Sequence, residues 1–166
     1  MRKIKLLVIA LMAVVIGFSS CNRGVTEPDK IGRQAFDILK NFDSNGRLGF
    51  EKNFPTIHDL RDLGRNDKVT TDIEIRNVLT STPENEWLEQ ISENYADIKK
   101  MGNKHGINWK NIEYSDFIYE MEYEGGGLKY VEGELVIKHR GETYKIETYS
   151  MWNGKKYMIL GIREYY

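Results

Sequence analysis

The chain has 166 residues, with 24 Lys or Arg against 25 Asp or Glu and a formal net charge of −1. That balance leaves no basic excess with which to hold nucleic acid or anionic lipid heads. An aromatic content of 11% with only three prolines excludes a disordered chain, and the length suits a single domain.

Residues 1–20 stand apart from the rest. Arg2, Lys3 and Lys5 open the segment, Leu6 to Ile16 are all apolar, and Phe18-Ser19-Ser20 leads into Cys21, the one cysteine of the chain. An apolar run of this length is too short to span a bilayer as a helix, which takes about 20 residues, but fits the centre of a secretory signal. The segment resembles the signal peptide of bacterial lipoproteins, with Phe18 to Cys21 as the lipobox. The resemblance implies that the peptide is cut before Cys21 and that this cysteine carries the lipid that anchors the protein. A lone cysteine has no internal disulfide partner, which agrees with a modified thiol. Removing residues 1–20 takes away three cations and no anion, moving the net charge from −1 to −4. Asn22, where an aspartate would resemble an inner-membrane retention signal, favours the outer membrane of a cell that has one.

Residues 21–27 read as the lipidated cysteine and a polar tether, and residues 28–166 as one domain. Pro28 and Asp29 suit a helix start, and Ile31, Ala35, Ile38, Leu39 and Phe42 follow at helical spacing up to Asn45-Gly46. Thr56 to Leu63 suggests a short helix, whereas Val69 to Leu79 fits strand or irregular structure. Thr82-Pro83-Glu84 opens a long helix with Trp87, Ile91, Tyr95, Ile98 and Met101 on one stripe, ending at Gly102.

From Asn111 the period becomes two. Runs at about 111–123, 128–139, 142–152 and 155–165 are separated by Glu124-Gly-Gly-Gly127, Arg140-Gly141 and Asn153-Gly154. The last pair predicts a type I′ hairpin, and three short connections predict an antiparallel meander. Leu135 and Ile137 should share a face with Tyr144 and Ile146, and Glu132, Glu134, Lys145 and Glu147 the other. The glycine-rich turn would set Glu122 opposite Lys129. Met158, Leu160 and Ile162 suggest a last strand buried on both sides. The predicted class is α+β, N-terminal helices packed on a C-terminal four-stranded antiparallel meander. This element order resembles the cystatin-like and NTF2-like superfamily, which implies a cone whose sheet and helices can enclose a pocket.

Candidate chemistry is sparse. Asn41, Asp43 and Asn45 with Gly46 resemble the start of an EF-hand calcium loop, but Lys52 stands where a bidentate glutamate should close the shell. A helix-ending turn accounts for the same residues, and no metal or cofactor is expected. His58, His105 and His139 share no ligand spacing. Glu120, Glu122 and Glu124 alternate with Tyr119, Met121 and Tyr123, as on a solvated strand face. No nucleophile elbow, Cys-x-x-Cys pair or phosphate-binding loop is present.

The leading expectation is therefore a lipid-anchored, extracytoplasmic, non-catalytic module that binds a small ligand or a protein. Trp87, Tyr95, Tyr144 and Ile146 would line its pocket between the long helix and the sheet. One alternative is a small lyase, isomerase or hydrolase using a pocket carboxylate such as Asp116 or Glu120. Another is an inhibitor or immunity protein of an envelope enzyme.

Overall fold

A computed structural model describes residues 24–123 and 127–164. The signal segment, Cys21 and most of the glycine-rich turn lie outside the described residues. Among the described residues, five α-helices precede four strands: α1 (Ile31–Lys40), α2 (Phe42–Glu51), α3 (Ile57–Arg65), α4 (Ile73–Ser81), α5 (Glu84–His105), β1 (Glu113–Tyr123), β2 (Lys129–His139), β3 (Glu142–Trp152) and β4 (Tyr157–Glu164). The strands form one antiparallel sheet in the order β1-β2-β3-β4. The class is α+β, helices first and meander last.

Local chemistry sets the helix ends. Thr56 and Asp59 form a reciprocal capping box at α3, with the Thr56 amide donating to Asp59 Oδ2 at 2.7 Å. The Asp72 carboxylate accepts from the Glu74 and Ile75 amides at 2.8 and 3.1 Å and starts α4. The segment expected as strand or irregular is thus partly helix. Its periodicity was obscured because Ile73 and Val78 are exposed and only Leu79 of α4 is buried. The long helix runs past Gly102 and closes at Gly106, whose φ of 61° supplies the left-handed cap. Gly102 serves packing, since a Cβ there would press on the Trp109 indole.

Asn41 breaks the first helix, and residues 42–51 form α2, which kinks where Gly46 takes φ 58°. The segment that resembles a calcium loop is therefore helical, with a kink at Gly46, rather than looped. Asn41 uses its amide to donate to the Asp37 carbonyl at 2.8 Å, and Asn41, Asp43 and Asn45 are exposed.

One face of the sheet is predominantly apolar, with Thr148, Ser150 and His139 as its buried polar members. Register pairs Leu135 with Ile146 and Ile137 with Tyr144, as expected, and Gly133 with Thr148. Val131, Leu135, Ile137, Ile146, Ile159 and Ile162 join Ile31, Leu39, Phe42, Phe50, Ile91 and Ile98 in the main core. A smaller core forms on the opposite side, where Leu63 and Leu79 of the α3–α4 pair meet Leu128 and Met158. Strand β4 is therefore buried on both sides, and its bulge at Leu160 separates the Ser150–Ile159 and Tyr149–Gly161 pairs.

Two turns differ from expectation. Arg140 and Gly141, at φ 53° and 84°, make the two-residue connection whose paired positive φ values mark type I′. Asn153-Gly154 instead sits in a four-residue loop, in which Asn153 Oδ1 accepts from the Lys155 and Lys156 amides, each at 3.0 Å. An asparagine side chain can substitute for a backbone acceptor, so the same dipeptide serves either turn. In the first hairpin Glu122 pairs with Tyr130 and Tyr123 with Lys129, one residue from the expected register.

The ring of Phe117 lies between Gly32 of α1 and Gly133 of β2; a Cβ at either glycine would fall inside it. These glycines set how closely α1 approaches the sheet. Gly133→Ala should destabilise the fold by about 1–3 kcal/mol through overpacking, measured by urea unfolding. Adding Phe117→Leu should recover part of that loss; equal stability of Gly133→Ala and the parent would refute the wedge.

Candidate functional site

Between α5 and the apolar face of the sheet the space is filled by the core. Ile146 is completely buried, and Trp87 is buried with its indole Nε1 donating to the Pro55 carbonyl at 2.8 Å. Tyr95 stacks on Phe42 at 4.8 Å and meets Phe50 edge-on at 5.6 Å. Tyr144 packs against His105 at 5.3 Å and donates its hydroxyl to Glu142 at 2.8 Å, which holds its phenol above the ordinary range. These side chains share one core. Tyr95, Tyr144 and Ile146 border none of the three surface clefts described below; Trp87 borders one.

The first cleft, about 370 Å³, follows the junction of α5 with the edge of the sheet. Gln90, Glu93, Asn94 and Asp97 line its helix side, and Tyr149, Gly161 and Arg163 its sheet side. Gly161 lies where Asn94 and Tyr149 approach, and a Cβ there would touch both at ordinary contact distance. The second, about 390 Å³, lies across the outer face of β1, β2 and β3 between Ile118, Glu120, Glu132, Glu134 and Glu147. The third, about 590 Å³, lies beside α1 and α2 and is rich in amides: Gln34, Asn41, Asn45 and Asn53.

A polar network joins the first two clefts. Arg163 lies 4.4 Å over the Tyr149 ring, hydrogen-bonds its hydroxyl, and donates to Glu147 at 3.1 Å. Tyr149 also donates to Glu147 at 2.9 Å. Burial pushes the Tyr149 phenol up, the Arg163 bond opposes this, and Glu147 and Glu132 reinforce it, leaving it raised overall. Lys145 pairs with Glu134 at 2.9 Å. Glu120 and Glu132 face each other across β1 and β2, as do Glu134 and Glu147 across β2 and β3. Lys145 and Arg163 offset Glu134 and Glu147, and the Glu120–Glu132 contact is the like-charge pair that costs stability on this face.

The remaining candidates do not converge. Asp116 and Glu120 are both exposed; Asp116 Oδ1 accepts from the Phe117 amide at 2.8 Å, and Glu120 opens on the outer groove. Neither is the isolated, desolvated carboxylate that a pocket acid or base requires. His139 is buried and accepts from the Asn108 amide at 3.3 Å, His105 lies 3.6 Å from Glu164, and His58 is exposed. No group of three or more His, Cys, Asp or Glu able to hold a metal occurs among the described residues. Sequence reasoning placed Glu132, Glu134 and Glu147 on one face but missed their juxtaposition with Arg163, which depends on the bulge at Leu160.

Compared with protein-family models, curated proteins and solved structures, the chain matches none.

The raised Tyr149 phenol has a definite consequence. Its bound proton stabilises the folded state fully below the unfolded phenol range, and that contribution is lost as pH rises through the folded value. Tyr149→Phe should therefore remove a tyrosinate absorbance component lying on the alkaline side of an ordinary tyrosine titration. A missing component at or below the ordinary range would contradict the burial argument.

Proposed function

We propose that this chain is a cell-envelope lipoprotein, anchored by lipid on Cys21, whose domain is a non-catalytic binding module working through the outer face of its sheet. One observation carries the binding surface: the helix-facing side is filled by the core, whereas the outer groove leaves Ile118 58% exposed among four glutamates. An exposed apolar side chain set among polar groups is what a partner surface offers, and an isolated acid–base pair is missing from the carboxylates first considered.

The anchoring role rests on the lipobox resemblance and is compatible with the chain path. Val25 exchanges backbone hydrogen bonds with Tyr157, at 3.0 and 2.7 Å, so the polar leader is clipped to β4. Cys21 precedes Val25 by four residues, a reach of about 14 Å at full extension. Such a leash would keep the domain against the membrane, its partner being met at that surface. No helix among the described residues is long and apolar enough to cross a membrane itself.

Two measurements test this. Cys21→Ser should abolish incorporation of labelled fatty acid and release the protein from the membrane fraction; retained label would refute anchoring at Cys21. A photo-crosslinking residue at Glu132 should capture a defined partner, and one at exposed Val78 of α4 should not. Equal capture at both positions would refute the outer face as the binding surface.

A further inference from the structure

We infer that the free edge of β1 takes up an extended, basic segment of a partner protein as a fifth strand. The inference deepens the binding role proposed above and rests on it. Strand β1 ends the sheet order and pairs only with β2 among the described residues. Its register slips between Tyr114 and Asp116, after which pairing with β2 is regular up to Tyr123. The Phe117 amide bonds to the Asp116 carboxylate, so it points away from β2. In an antiparallel strand the amide and carbonyl of one residue point to the same side and alternate residues repeat it. Tyr119 and Met121 therefore present their backbone groups outward too.

The side chains along this edge are accessible. Ile118 is 58% exposed, Met121 45% and Tyr119 37%, lying alternately on the two faces. A regular edge carrying exposed apolar groups is a template for strand addition, in which backbone bonds supply affinity and side chains supply selectivity.

Charge selects the occupant. Residues 113–123 hold Glu113, Asp116, Glu120 and Glu122 and no Lys or Arg. Antiparallel pairing with a second copy, centred on Ile118, Tyr119 or Glu120, would set Asp116 opposite Glu120, Asp116 opposite Glu122, or Glu120 opposite itself. Each such contact is repulsive. An incoming strand with Lys or Arg at alternate places meets the opposite situation. Its cations fall beside Glu120 and the facing Glu132 of β2, and its apolar residues beside Tyr119 and Met121. The acidic row thus favours a basic partner strand over self-pairing in these registers.

The test uses the full chain in neutral detergent with a fluorescent eight-residue peptide of alternating Lys and Val, followed by anisotropy. Saturable binding is expected, with none to the Glu and Val counterpart. Methylating alternate backbone nitrogens of the peptide leaves its charge unchanged and should weaken binding at least tenfold. Tyr119→Pro removes one outward amide and should do the same, while Glu120→Lys should weaken binding and raise no affinity for the methylated peptide. Thermal unfolding checks that Tyr119→Pro folds; should it not, the methylated peptide still decides. Equal binding of plain and methylated peptides would reduce the effect to charge alone and overturn strand addition. So would a dimer of the parent chain, by sedimentation, that Tyr119→Pro dissolves. Failure of the peptide to bind, with capture at Glu132 intact, would overturn strand addition while leaving the outer-face reading in place; loss of that capture would remove the reading itself.

Discussion

Period-two alternation in the meander, held in register by the tight turn at Arg140-Gly141, is the constraint on which the rest of the molecule depends. A slip of one residue would turn Val131, Leu135, Ile137 and Ile146 outward and bring Glu132, Glu134 and Glu147 into the core. With the register set, the apolar face must be covered, and α1 and α5 cover it. The Phe117 ring, seated where Gly32 and Gly133 leave room, fixes how near α1 comes. The turn itself places Arg140 in the left-handed region, a conformation costly for a residue with a Cβ, and the sheet imposes it.

Because the covering is so complete, the open grooves lie elsewhere. The residues that looked suited to a pocket are large and apolar or aromatic, and those same properties make them pack. Tyr95 is held between two phenylalanines and Ile146 has no exposed surface. The outer side is divided: the α3–α4 pair covers its Met151–Met158 end, α5 borders its β4 edge, and the glutamate-lined middle is left open. The polar network of Tyr149, Arg163 and Glu147 stands at the border between covered and open regions.

How much of this was legible in the residues can be judged element by element. Capping and stripe signals located α1, α3 and the long helix because they act within a few residues of themselves. Helix α4 escaped because its Ile73 and Val78 face outward, so its apolar residues do not trace one stripe. Gly102 and Gly106 compete as helix terminators, and only the position of the Trp109 indole explains why the first is passed over. Asn153-Gly154 does not make the type I′ turn expected of it, which Arg140-Gly141 makes, for a similar reason. Both pairs tolerate several turns, and the bulge at Leu160 with the Val25 clip on Tyr157 selects among them.

The sequence by itself determined the α+β class, the meander and the division of its faces, because hydrophobic period and turn chemistry are local properties that survive without tertiary contacts. It also carries Phe18-Ser19-Ser20-Cys21, which resembles a lipobox and lies outside the described residues. Only the tertiary structure decided that the core fills the apolar side of the sheet, that Arg163 reaches Tyr149 and Glu147, and that β1 ends the sheet order and pairs only with β2 among the described residues. Those outcomes depend on how volumes fit and on which strand ends the sheet, and neither is encoded in the spacing of any one segment.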